Sequence, residues 1–278
     1  MVFCKMQGAG NDFIIINNIK QEIPGEKFPE MAKRLCTRKL SIGADGLMVV
    51  EKPQKGGDIR VRLINADGTD AEMCGNGVRC IARYVNEEGI AGEHITIEAA
   101  AGDVEAERLS KRSYKIKLQR AGVVKEARTA DVGGKKYAYT YIELGNPGIP
   151  HIVVEMPGLK DLDREELRVL GRKLRYHPDF PKGANVNFYQ ILDGNSVLLL
   201  TYERGVEDFT LACGTGSGST ALSLKLQGKL SGDNLKLNVP GGLLIVDLKQ
   251  AGEREYDLYL TGDTNIIAKG EILDEDLI

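Results

Sequence analysis

Two short segments carry the residues best suited to chemistry. Cys74-Gly75-Asn76-Gly77 and Cys213-Gly214-Thr215-Gly216 each follow a polar, turn-rich stretch and open a run whose apolar residues recur at helical spacing. A thiol at that point sits at a helix N-terminus, where unpaired N–H groups and the positive end of the helix dipole lower its pKa from about 8.5. The glycines leave first-turn N–H groups uncovered, so a carboxylate can approach them without any cation. Two such cysteines flanking one carbon, one as thiolate and one as thiol, would invert a stereocentre. One sulfur takes the proton from one face, the other returns a proton to the opposite face, and the helix starts hold the developing enediolate. Cys4, Cys36 and Cys80 read as core packing instead.

The elements that must position these thiols follow from a repeat. Gly43, Cys74 and Gly102 correspond to Gly183, Cys213 and Gly241 at offsets of 140, 139 and 139 residues, which is too long for a solenoid and reads as duplication of a whole lobe. In the first lobe, residues 13–17, 47–51, 59–65, 95–99, 104–109 and 114–118 have strand patterns, with a hairpin turn at 101–103. Helical spacing appears at Phe28, Met31, Ala32 and Leu35, and again at Val78, Ile81, Ala82 and Val85. The second lobe repeats the order, with helices over 162–175 and 214–227 and strands over 186–193, 196–203, 234–239 and 242–249. Strands mostly neighbour strands, so antiparallel sheet is expected over a doubly wound parallel one.

Composition narrows the partners. The 278 residues are 42% apolar and 28% charged, as in a soluble globular protein, and 37 basic against 40 acidic side chains give a net charge of -3 with no basic block. Nucleic acid and anionic membranes are therefore poor partners, and a small molecule remains. No apolar run approaches the ~20 residues of a membrane span and the opening residues lack a signal-peptide core, so a cytoplasmic location is expected. An odd number of cysteines without Cys-x-x-Cys argues against a disulfide framework or a zinc site. The Gly214-to-Gly218 run and Gly8-Ala9-Gly10 do not complete a dinucleotide loop, and no lysine stands out for pyridoxal phosphate, so no cofactor is expected.

Longer blocks carry a resemblance. The segments 3–13, 65–80, 183–187, 203–205 and 212–216 together resemble the diaminopimelate epimerase family, in order and nearly end to end. The resemblance implies an α/β (α+β) fold of two pseudo-symmetric lobes, each mainly antiparallel sheet wrapped around a central helix. Residues 1–118 plus 263–278 would form the lobe carrying Cys74, and 119–262 the lobe carrying Cys213. It implies a cofactor-independent enzyme that interconverts LL- and meso-diaminopimelate, in lysine and peptidoglycan precursor synthesis; a homodimer is an open expectation. Carried over by motif, Cys74 and Cys213 resemble the paired acid and base, with Gly75, Asn76, Gly214 and Thr215 around the reacting carboxylate. Asn65, Asn185 and Arg204 resemble a clamp on the distal amino-acid end, which suits an Arg fork and Asn amides. Glu203 would accept from the substrate ammonium and influence Cys213, and Asn11 would align the site.

Two departures stand out. Where the family often has Asn-Pro-His, this chain reads Ile149-Pro150-His151, so His151 carries over as a candidate partner of the Cys74 thiol and Asn146 is left open. One extra residue separates Glu203 from Cys213, with Phe209 where the family commonly has glutamate. Two alternatives stay open: a related cofactor-independent amino-acid racemase, and a thiol redox-sensing binding protein.

Overall fold

The computed structural model describes residues 1–71, 74–145 and 147–273. The chain divides into two compact units, Met1–Ile116 with Gly262–Ile278, and Lys117–Thr261. The first unit runs β1 (Val2–Gly8), β2 (Asn11–Asn17), α1 (Asn18–Gln21), α2 (Phe28–Leu35), β3 (Gly46–Glu51), β4 (Ile59–Asn65), β5 (Asp70–Ala71), α3 (Gly75–Glu87), β6 (His94–Ala99), β7 (Gly102–Arg108) and β8 (Ser113–Leu118), whose last residues enter the second unit. The second unit continues with β9 (Ala121–Val132), β10 (Lys135–Leu144), β11 (Ile149–Glu155), α4 (Arg164–Arg175), β12 (Asn185–Asp193), β13 (Ser196–Glu203), β14 (Asp208–Phe209), α5 (Gly214–Leu226), β15 (Asn234–Val239) and β16 (Gly242–Gly252). The last strand, β17 (Glu255–Glu271), belongs to the second unit up to Thr261 and to the first from Gly262 on. There it pairs antiparallel with β1, from Val2↔Glu271 to Gly8↔Thr264.

The duplication is visible in the pairing. In the first unit β2 and β3 run parallel, β3 and β4 antiparallel, β4 and β6 parallel, and β6 and β7 antiparallel. In the second, β11 and β12, β12 and β13, β13 and β15, and β15 and β16 repeat those four orientations in the same order. The sheets are thus mainly antiparallel with two parallel pairs per unit, each bridged by a helix, which is how parallel neighbours must be joined. The registers Phe13↔Gly46 and His151↔Asn185 make Phe13 the counterpart of His151 and, two residues along, Met48 the counterpart of Asn187.

Strands β2 and β3 are covered on both faces. Ile14, Ile16, Leu47 and Val49 pack with Phe28, Met31, Ala32 and Leu35 of α2, and the opposite face meets α3, where Gly77 approaches Phe13 and Met48. That is why these strands read as unbroken apolar runs. In the second unit Ile152, Val154, Val186 and Phe188 pack with Leu167 and Leu174 of α4. Helix α5 is buried nearly all round, including Ser217, Ser219, Thr220 and Ser223. Two of its hydroxyls donate back along the helix, Ser217 Oγ to the Cys213 carbonyl and Thr220 Oγ1 to that of Gly216.

Close approach at the helix start sets a testable constraint. A Cβ on Gly216 would lie 2.3 Å from Asn187 Oδ1 and 3.1 Å from Thr201 Oγ1, both fixed by hydrogen bonds. A Cβ on Gly218 would meet mainly the flexible ends of Leu118 and Leu144. Gly216→Ala is expected to destabilise the protein by about 1–3 kcal/mol, the usual cost of overpacking, and Gly218→Ala by clearly less. Urea unfolding midpoints of the two variants measure the difference.

Candidate active site

Each of the two cysteines is the N-cap of a thirteen-residue helix. Cys74 precedes α3 with extended backbone (φ -134°, ψ 112°) and Cys213 precedes α5 in nearly the same conformation (φ -124°, ψ 114°). Gly75 and Gly214 are the first helical residues. The Cys213 sulfur accepts from the Gly216 N–H at 3.4 Å and lies 3.5 Å from Thr215 Oγ1, so first-turn polar groups already converge on it. Cys213 is 7% exposed, whereas Cys74 is partly open to solvent. The other three thiols are buried, and burial pushes Cys4 up to about 11 and Cys36 and Cys80 up to about 12. They are inert near neutral pH.

In the first unit an amide chain runs from the helix start to the surface. The β1–β2 turn is Ala9-Gly10, with φ of 50° and 92°, the positive values a type I′ hairpin requires, and it delivers Asn11 to the strand edge. Asn76 Nδ2 donates to Asn11 Oδ1 at 2.7 Å, and Asn11 Nδ2 donates to Asp45 Oδ2 at 3.0 Å. Asp45 is held in turn by the Asp12 N–H and by Arg38, and Asp12 by Arg38 and Lys5. On its other side, Asn76 Oδ1 accepts from the fully buried Arg79 at 2.8 Å. Every amide in the chain therefore has a fixed orientation. Asn65, at the end of β4, is exposed and donates to Thr69 Oγ1 within its own turn.

In the second unit Asn185 bridges Pro150 and Arg204: its Nδ2 donates to the Pro150 carbonyl at 3.3 Å and its Oδ1 accepts from the Arg204 N–H at 2.8 Å. The Arg204 guanidinium donates to the Lys182 carbonyl at 3.2 Å. Burial raises the carboxyl pKa of Glu203, opposed by the Thr210 hydroxyl, so a proton is more easily retained there than on a free glutamate. The altered segment before Cys213 forms β14, paired with β13 through Tyr202↔Phe209 and Glu203↔Asp208. The Phe209 ring packs edge-on against Tyr202, 5.8 Å between centroids, as a half-buried side chain against the core. Asn146 lies outside the described residues.

The floors beneath the two helix starts differ. Under α3 it is apolar, Phe13 and Met48. Under α5 the counterparts are His151 and Asn187, joined by Thr201. Thr201 Oγ1 donates to Asn187 Oδ1 at 3.0 Å, and Asn187 Nδ2 donates to the Ile152 carbonyl at 3.0 Å. The Asn187 amide nitrogen also sits 3.2 Å from His151 Nδ1. Since the orientation of that amide is fixed, Nδ1 must accept and the imidazole proton must reside on Nε2. His151 is wholly buried; burial first and the Arg204 charge second depress its pKa to about 3, and Nε2 has no hydrogen-bond partner among the described residues. Asn187, Thr201, Asp45 and Arg79 are site neighbours that sequence reading did not select. For Asn187 the signal was a second asparagine two residues after Asn185, set between the apolar Val186 and Phe188. Among the described residues no His, Cys, Asp and Glu grouping is arranged to hold a metal ion, and no helix is long and apolar enough to cross a membrane.

The fold places the chain among known proteins. A Bacillus anthracis PhzF-family phenazine biosynthesis protein superposes with a TM-score of 0.75 at 14% identity, covering 98% of both chains. A hydroxyproline epimerase from Agrobacterium vitis gives 0.68 at 17% identity, covering 98% of this chain and 90% of that one. These define the fold class, the diaminopimelate epimerase-like α/β fold. The family model "Diaminopimelate epimerase" matches residues 3–124 and 144–267. Diaminopimelate epimerase of Archaeoglobus fulgidus is 38% identical over 97% of this chain and 95% of its own, and that of Aquifex aeolicus 34% over 100% and 99%. The chain belongs to the diaminopimelate epimerase family and is an epimerase, an enzyme of the isomerase class.

The neutral buried imidazole has a stability consequence with a definite sign. Its folded pKa of about 3 lies below the unfolded value of about 6.5, so the unfolded chain binds more protons between those limits. The stabilisation is complete above pH ~6.5 and is lost as pH falls, by up to about 1.4 kcal/mol per pH unit for one group. His151→Gln is expected to flatten the fall in urea midpoint between neutral pH and about pH 5 relative to the unsubstituted protein.

Proposed function

We propose that this protein interconverts LL- and meso-diaminopimelate without a cofactor, by a two-base mechanism in which Cys74 and Cys213 exchange the roles of thiolate base and thiol acid. The single observation that carries this reading is the repeated N-cap cysteine, in matched backbone conformation, at the start of two glycine-rich helices. Chemistry at an α-carbon needs a base on one face, an acid on the other, and stabilisation of the enediolate between them. The sulfurs supply the first two. First-turn N–H groups of Gly75 and Asn76, and of Gly214 and Thr215, supply the third. Asn11 fixes the Asn76 amide, Glu203 receives the substrate ammonium, and neutral His151 offers its Nε2–H in support of the Cys74 thiol.

Asn65, Asn185 and Arg204 recognise the distal amino-acid head. Arg204 is supported in that role by its tie to Asn185 and by a guanidinium that, among the described residues, is held by one backbone carbonyl, which a substrate carboxylate can replace. The names of the family relatives support the substrate. A redox-sensing role would require no turnover and a broad-specificity racemase no distal clamp, so both are separable by assay.

Cys74→Ser and Cys213→Ser are each expected to lower kcat by at least about 10²-fold while KM changes little, the signature of lost acid–base groups. Near-normal epimerisation by either variant would remove the two-base assignment. Lysine, which lacks the distal carboxylate, is expected to be turned over with a kcat/KM lower by about 10⁴-fold or more, because a site built to pair a polar group rejects an analogue that lacks it. Arg204→Lys is expected to weaken diaminopimelate turnover without creating lysine turnover, since an ammonium cannot reproduce the fork.

A further inference from the structure

Arg79 is the least explained side chain in the first unit. It is 0% exposed, it takes part in no ion pair among the described residues, and its guanidinium is served by two neutral acceptors, the Gly75 carbonyl at 3.2 Å and Asn76 Oδ1 at 2.8 Å. Its Nε is buried without an acceptor among the described residues. A cation in that state is costly unless an anion answers it. Both acceptors lie in the first turn of α3, so the charge is folded back under the helix start that Cys74 caps. Among the described residues of the second unit no arginine is comparably buried, and the repeat offset of 139 residues puts Gly218 at the matching position.

Resting on the reading of Cys74 and Cys213 as the reacting pair, we propose that Arg79 is the positioning residue whose buried charge is answered by the Cys74 sulfur, making Cys74 the thiolate and Cys213 the thiol of the resting enzyme. The same side chain orients Asn76, so that one buried cation sets both the charge and the amide geometry of this helix start.

Among the described residues, the surrounding groups leave this role to Cys74. On α3 itself, Cys80 is held as a thiol by burial, and Arg83 is committed to the Thr264 carbonyl and Glu87. From β1, Cys4 is likewise held as a thiol. Burial lowers the Arg79 guanidinium pKa, and the charges of Cys80, Cys74 and, from β17, the exposed Asp263 raise it, in that order. His151 is neutral. At the other helix start the Cys213 sulfur has the Gly216 N–H, and the next turn of α5 carries no cationic side chain.

The two thiols can be titrated separately by ultraviolet thiolate absorbance. Cys213→Ser reports Cys74 and Cys74→Ser reports Cys213, while Cys4, Cys36 and Cys80 stay silent below about pH 9 because burial holds them near 11 to 12. Cys74 is expected to ionise at least about one pH unit below Cys213, a tenfold difference in thiolate at a given pH. Adding Arg79→Gln to Cys213→Ser should raise the Cys74 midpoint by about one unit or more, and Arg79→Lys should recover part of it. In the Cys74→Ser background the Cys213 midpoint should not respond to Arg79→Gln. Cys74 ionising with or above Cys213, or an unmoved midpoint in the Arg79→Gln protein, would overturn the proposal. So would an Arg79→Gln enzyme whose KM rises with Cys74 ionisation unchanged, which would give the cation to the substrate carboxylate. Should Arg79→Gln not fold, the order of the two midpoints and the Arg79→Lys shift decide. Titration needs no turnover, so a protein that fails to epimerise diaminopimelate yet keeps this order loses the proposed function and not this inference.

Discussion

A thiol is acidified by a helix start only while the N–H groups of the first turn remain available to it, and that requirement shapes much of what surrounds Cys74 and Cys213. The residues after each cysteine must be small, so both helices open with glycine at the first and third positions. Small residues bring the helix down onto the strands beneath, so the side chains under Gly77 and Gly216 must be chosen to meet backbone. The parallel pairs β2–β3 and β11–β12 provide that floor in each unit, and the helices α2 and α4 cover their other face with apolar side chains. A requirement on four backbone N–H groups thus propagates into strand order, residue size and core composition.

Duplication supplies two equal frames, but the frames are furnished unequally. Phe13 and Met48 under α3 give a dry floor, and the polar support arrives from within the helix as Arg79. Under α5 the floor itself is polar, through His151, Asn187 and Thr201, and the helix contributes Gly218 where α3 has its arginine. A stereoinverting pair must begin each turnover with one sulfur charged and the other protonated. Sequence divergence between otherwise matching helix starts is a physical means of making that choice.

The two cysteines and the helices they open were legible in the sequence because glycine after cysteine, followed by apolar periodicity, leaves few other structures. The strands around them were legible where both faces are covered, as in residues 47–51, because unbroken apolar runs result. Strands β9 and β10 escaped notice since most of β9 is exposed and its residues show no clean alternation. Strand β1 escaped because its polar residues are only partly exposed, and β17 because its hydrophobic set changes along seventeen residues as it passes from one unit to the other. The hairpin before β7 turns at 100–101, one residue before the expected position, because Ala99 pairs with Gly102. Among site neighbours, Arg79 and Asn187 were hidden for one reason: a charged or polar residue inside a helix or strand reads as surface until burial is known.

The central claim, that two different sulfurs handle the departing and arriving protons, is tested most directly by isotope transfer during the first turnovers. LL-diaminopimelate is incubated with the enzyme in heavy water, and the α-position is followed in both substrate and product before the reverse reaction contributes. Two bases require that newly formed meso product carry solvent deuterium while recovered LL substrate keeps its proton. Product that retains the substrate's own proton, or substrate that exchanges as fast as product forms, would show a single group serving both faces and would contradict the account.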